Sequence, residues 1–150
     1  MYKTIIKLFF VIVALNISLF ARDIDINTIA KDSAASKKYV FIFLHRTDCG
    51  YCDSMQMFTL DDDPVKKLIE KDFVFVHINI SENDVVKYED FTGSGRDFAE
   101  YVGYDFYPSS LFLNNANEII YAIPGYQDEK KFLVRATCKF KSNQVASFLL

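Results

Sequence analysis

Tyr39-Val40-Phe41-Ile42-Phe43-Leu44-His45-Arg46-Thr47-Asp48-Cys49-Gly50-Tyr51-Cys52 is the stretch on which the reading of this chain turns. Its first six residues are apolar and β-prone without a break, the pattern of a strand buried on both faces of a sheet. A short polar segment follows, then two cysteines two residues apart, then helical character over residues 52–59, with Met55 and Phe58 spaced for one face. A thiol at the junction of strand and helix meets the positive end of the helix dipole and unpaired backbone N–H groups, and both favour thiolate. Thiolate is the attacking species in disulfide exchange, so Cys49 is the candidate nucleophile and Cys52, one turn further in, the candidate resolving thiol. The flanking His45 and Arg46 would lower a thiol pKa and Asp48 would raise it, so their sum is left open by the sequence.

Two blander readings of the pair compete. Half a zinc site is one, but structural zinc takes four ligands and no second Cys pair exists; Cys138, His45 and His77 would complete a site only by coincidence of folding. A purely structural bridge is the other, and it closes too small a loop to restrain the unfolded chain much.

Working outward, Asp61-Asp62-Asp63-Pro64 restarts the chain, with Asp63 suited to cap and Pro64 to open a second helix whose apolar stripe is Val65, Leu68 and Ile69. Residues 73–80 read as another long strand. Residues 81–95 are polar, end in Gly93-Ser94-Gly95, and are expected to be mostly an enlarged loop; a short helix over 96–101 stops at Gly103. Residues 110–113 and 118–123 flank Asn114-Asn115-Ala116-Asn117, a strong hairpin signal. A helix over 128–139 closes the chain, and a weakly amphipathic one over 25–36, carrying Ile26, Ile29, Ala30 and Ala34, precedes the first strand. This alternation implies an α/β fold, a central mixed sheet with helices on both faces. No repeat or Pro/Gly/Ser-rich linker divides residues 22–150, so one domain is expected.

The N-terminus reads Met1-Tyr2-Lys3-Thr4-Ile5-Ile6-Lys7, then an apolar run to Ala21 interrupted by Asn16 and Ser18. Two lysines, a short apolar stretch and a small final residue make residues 1–21 a secretory signal peptide cleaved after Ala21, with an uncleaved membrane anchor as the alternative. Removing Lys3 and Lys7 leaves 15 basic against 20 acidic groups, a net charge of −5. The expected location is the periplasm, where disulfides persist.

The 150 residues are 51% apolar and 25% charged, which excludes disorder, and the net charge of −3 argues against a nucleic-acid surface. Three cysteines are too few for a disulfide-stapled miniprotein. The 15 Phe and 9 Tyr read as core filling, with an exposed aromatic groove for peptide expected near Tyr51 and Tyr107. Cys138 is expected to be a small buried residue of the last helix, a third exchange partner being the sharper alternative.

Strand, CxxC, helix, strand, hairpin and last helix, in that order, resemble the thioredoxin superfamily over residues 38–140. Val102-Gly103-Tyr104-Asp105-Phe106-Tyr107-Pro108-Ser109 resembles the segment leading to that family's cis-proline, and Gly125 falls near its glycine after the final strand. Met57-Phe58-Thr59-Leu60-Asp61-Asp62-Asp63-Pro64-Val65 is similar to the helix break of periplasmic members, the SoxW-like group and the C-terminal domain of the transmembrane reductase DsbD. The resemblance implies a cis Tyr107–Pro108 bond and substrate contacts at Tyr107, Pro108, Gly50 and Tyr51. It implies a thiol:disulfide oxidoreductase acting as a reductant on client proteins, without metal or organic cofactor, and drawing electrons from a membrane thiol-transport protein. A different class of reading is a thioredoxin-fold binding or assembly module whose Cys pair is structural or holds a metal. Three departures stand out: Phe43 replaces the family's buried acid, Asp48 its tryptophan before the first Cys, and Tyr107 the smaller residue before the cis-proline.

Overall fold

The computed structural model describes residues 21–147, with side chains as far as residue 140. Except for Ala21, the signal segment expected at residues 1–21 lies outside the described residues. The buried run becomes the strand Tyr39–His45, here β2, preceded by β1 (Asp23–Asp25) and α1 (Ile26–Ala35). Val40, Phe41, Ile42 and Leu44 are each fully enclosed, as a strand covered on both faces requires. Strand β2 lies inside a four-stranded sheet, with β3 (Phe73–Asn79) parallel on one side and β6 (Ser109–Leu113) antiparallel on the other; β7 (Ile119–Pro124) pairs antiparallel with β6 at the edge.

Side chains alternate across a strand, so β2 feeds two cores. Val40, Ile42 and Leu44 pack beneath α1 and α4 (Gly95–Tyr101), against Ile26, Ala30, Phe98 and Ala99. Phe41 and Phe43 face α2 (Gly50–Met55), α3 (Asp63–Asp72) and α5 (Glu129–Ser147), against Met55, Val65, Ile69 and Phe132. The second core is aromatic: Phe41 stacks on Phe112 at 4.8 Å, and Phe73 meets Phe140 edge-on at 5.0 Å. Most of the phenylalanines among the described residues are thus core filling.

The polar segment 81–95 departs from the expected loop. It forms a hairpin of β4 (Val85–Tyr88) and β5 (Phe91–Ser94), which with β1 makes a separate three-stranded sheet in the order β1-β4-β5. Only Val86 and Tyr88 of β4 are buried, and charged residues surround them, so the alternation is too short to stand out in the sequence. Gly95 lies within close packing: a Cβ there would stand 2.9 Å from Ile78 Cγ2. Ser94 and Asp97 close a capping box at the start of α4.

At the start of helix α3 the N-cap position falls on Asp62 instead of the expected Asp63, and its side chain makes no capping hydrogen bond; Pro64 lies in the first turn. Between α2 and α3 the chain makes a π-helical turn, Gln56–Leu60. Wider winding there shifts the buried face: Thr59 and Leu60 turn inward, and Phe58, expected to share a face with Met55, is 61% exposed. Cys138 is exposed rather than buried, because α5 buries Phe132, Ala136 and Phe140 at four-residue spacing and position 138 falls on the opposite side.

Candidate active site around Cys49 and Cys52

Strand β2 ends at His45, and Arg46 to Asp48 carry the chain over the sheet edge to α2. Asp48 turns the corner in the left-handed region at φ 56°, a conformation Asp tolerates better than most residues and a tryptophan does not. Cys49 is the N-cap of α2. Its carbonyl accepts the N–H groups of Cys52 at 2.9 Å and Asp53 at 3.0 Å, and its Sγ accepts the Cys52 N–H at 3.2 Å. Here a sulfur takes the place of the oxygen that usually caps a helix.

The two sulfurs are joined in a disulfide, with the Cα atoms 5.2 Å apart. Their surroundings differ: Cys49 keeps 7% of its surface and Cys52 only 2%. Gly50 is exposed, and a Cβ there would meet nothing within 4 Å; Tyr51 stands 72% exposed beside it.

Leu44 pairs with Ser109 across the β2–β6 ladder, so Pro108 follows at the end of the sheet that carries Cys49. The Tyr107–Pro108 bond is cis. Pro108 is buried and its carbonyl accepts the Gly125 N–H at 2.7 Å, which ties the segment to the end of β7. Gly125 has φ 79°, and a Cβ there would lie 3.3 Å from Phe106 Cε1. The ring of Phe106 lies over this glycine, is 62% exposed, and has its backbone carbonyl held by the Ser109 hydroxyl. The half-buried ring of Tyr107 packs against the α1/α4 core, and burial raises its phenol pKa.

The Cys-bearing helix is anchored from below. Met55 Sδ accepts the Gln127 N–H at 3.3 Å, and the buried Thr59 hydroxyl donates to the Gln127 carbonyl at 2.6 Å. Phe43 is 1% exposed and lies opposite Ser110, whose buried hydroxyl has no hydrogen-bond partner among the described residues. His45 is sandwiched between Phe43 at 5.2 Å and His77 at 5.8 Å. Burial, and then the nearby His77 charge, hold the His45 pKa below its ordinary value. Arg46, Asp48 and Asp53, all within four residues of one of the cysteines in sequence, are exposed.

The structure thus brings Cys49 and Cys52 together and sets Gly50, Tyr51 and Pro108 at the same end of the sheet. Sequence reasoning missed the exposed Phe106, hidden because the resemblance drew attention to the residue adjoining the proline. It also missed the outward turn of Met57 and Phe58, which depends on the π-turn.

The family model described as a thioredoxin-like domain matches residues 26–135. No curated protein matches the sequence. Among solved structures, a thioredoxin from Thermus thermophilus aligns at 23% identity over 79% of this chain and 87% of that one, TM-score 0.59. A thioredoxin-fold protein from Helicobacter pylori aligns at 22% identity over 65% and 66%, TM-score 0.57. The oxidised C-terminal domain of Neisseria meningitidis DsbD aligns at 18% identity over 78% and 97%, TM-score 0.57. At these identities the likeness is one of fold.

Proposed function

We propose, from the premise that this chain belongs to the thioredoxin-like domain family, that it is an exported thiol:disulfide oxidoreductase working as a reductant on client proteins. The observation that carries the proposal is the Cys49–Cys52 disulfide on the first turn of a helix, with Cys49 capping that helix and keeping 7% of its surface against 2% for Cys52. In the reduced protein the Cys49 thiolate attacks one sulfur of a client disulfide, forms a mixed disulfide, and releases the other client sulfur as thiolate. Cys52 then loses its proton and attacks Cys49 Sγ. The second client sulfur leaves and is protonated, and two electrons have passed to the client. The Cys49–Cys52 disulfide described above is the product state.

The direction is supported by electrostatics. A strong oxidant needs its thiolate heavily stabilised. Here burial disfavours a charged His45, two exposed aspartates, Asp48 and Asp53, flank the pair in sequence, and one backbone N–H is aimed at Cys49 Sγ. Renewed reduction needs an external dithiol, which in an exported protein is supplied by a membrane thiol-transport protein. Tyr51, Phe106 and the exposed edge of the Gly50–Pro108 region form the client-facing surface, with Tyr107 behind it as support.

Replacing Cys49 by Ser abolishes insulin-disulfide reduction, and retained turnover overturns the assignment. Replacing Cys52 by Ser leaves the attack intact and traps mixed disulfides, seen as client-sized adducts that collapse with dithiothreitol.

A further inference from the structure

Asp84 is the only buried carboxylate among the described residues, with 3% of its side chain exposed. The hydrogen bonds that compensate it come from Arg22. The backbone nitrogen of Arg22 donates to Oδ1 at 3.0 Å, while Nε at 3.1 Å and Nη2 at 2.7 Å donate to Oδ2. Arg22 Nη2 also reaches Glu82 Oε2 at 3.0 Å, and Nη1 lies 3.1 Å from His77 Nε2. The Arg22 carbonyl accepts the Val85 N–H at 2.9 Å, extending the β1–β4 pairing upstream by one residue.

Charge is unbalanced in this cluster while the Arg22 nitrogen is an amide. Two carboxylates, Asp84 and Glu82, face one guanidinium, with the His77 ring beside it. Arg22 is also the residue that cleavage after Ala21 would make the first of the chain. We propose that Asp84 is a built receptor for the mature N-terminus, pairing with the α-ammonium of Arg22 once the leader is removed. Hydrolysis of the Ala21–Arg22 bond consumes one water, leaves the carboxylate on Ala21, and gives Arg22 an amine that takes a proton at neutral pH. An N–H···O⁻ bond with one ionised partner becomes an N⁺–H···O⁻ ion pair, which adds the attraction of two opposite charges to the hydrogen bond. The cluster becomes neutral, and β1 is fastened to β4 more firmly in the processed chain than in the precursor. Export and maturation of the thin three-stranded sheet are thereby coupled. This inference rests on the export reading.

The test uses residues 22–150, which hold every described element, beginning either at Arg22 or with Ala21 and a preceding Gly retained. Each is made with Asp84 and with Asp84→Asn. With Asp84, the extended form melts about 3 °C or more below the Arg22-first form, a gap absent in Asp84→Asn. The Arg22 amine is acylated at pH 7 about tenfold more slowly with Asp84 than with Asp84→Asn. If Asp84→Asn does not fold, the amine titration in the unsubstituted chain decides: a pKa above the ordinary ~8 supports the pair. An amine that titrates as a free one, with no melting gap, overturns it. Intact mass of the full chain after export reports separately on the cleavage site. A mature chain starting elsewhere overturns both the cleavage and Asp84's role, while one starting at Arg22 with a free amine overturns the pairing alone.

Discussion

At the scale of single residues, the proposed function divides the work between the two thiols and the exposed aromatics near them. Cys49 and Cys52 were legible because CxxC after a buried strand places both thiols on the first turn of a helix, whatever the rest of the chain does. Pro108 was legible only through the resemblance of residues 102–109 to the segment leading to the family's cis-proline, and the bond is cis. Phe106 was not, since an exposed aromatic and a buried one look alike in sequence, and only the ring's position over Gly125 separates them. Tyr51→Ala and Phe106→Ala should each lower kcat/KM for a protein disulfide by about tenfold, the scale of losing one partly buried aromatic contact. Their rates with a small disulfide and their Tm should stay unchanged; an equal loss with the small substrate would show a damaged Cys pair rather than a lost contact. Gly50→Ala should be accepted without loss of stability, because the added methyl meets nothing within 4 Å.

At the scale of elements, the π-turn Gln56–Leu60 and the β4–β5 hairpin mark where sequence patterning loses its hold. Helical spacing paired Met55 with Phe58, but the wider turn buries Thr59 and Leu60 instead, and nothing local in Gln56-Met57-Phe58-Thr59-Leu60 announces the extra winding. The hairpin escaped because strands of four residues with two buried side chains give no clear period. Where patterns were long, as in β2 and β3, they were read to within a residue. Thr59→Val should destabilise by about 1–3 kcal/mol, since it strips the Gln127 carbonyl of its buried donor; urea unfolding measures this. Ser110→Ala should do the reverse, gaining about 1 kcal/mol by removing a buried hydroxyl that has no partner.

At the scale of the molecule, two cores share one sheet, and the redox pair occupies the rim above the aromatic one. The class of fold was legible from the order of elements; the separate β1-β4-β5 sheet was not, because its β1–β4 pairing joins segments about 60 residues apart in sequence, and closing so long a loop leaves no local signal. Stability should fall with pH in two windows. His45 has a depressed pKa in the folded state, so the fold favours its neutral form: the contribution is full above about pH 6.5, the unfolded value, and is lost as pH falls through the folded one. Burial alone would raise the Asp84 pKa, but the hydrogen bonds from Arg22 outweigh it and hold it below the ordinary value, so its contribution is lost only below about pH 3.8. Urea midpoints at pH 8, 5.5 and 3 check both, and His45→Phe should flatten the upper window alone.

The most direct test of the central claim is the reduction potential of the Cys49–Cys52 pair, obtained by equilibrating the protein with dithiothreitol or glutathione and counting thiols by mass. A reversible couple near the value of thioredoxin, about −270 mV, is the expected result. A pair that stays oxidised below about −300 mV would be structural and contradict the activity, and one toward −120 mV would keep the exchange but reverse the proposed flow of electrons.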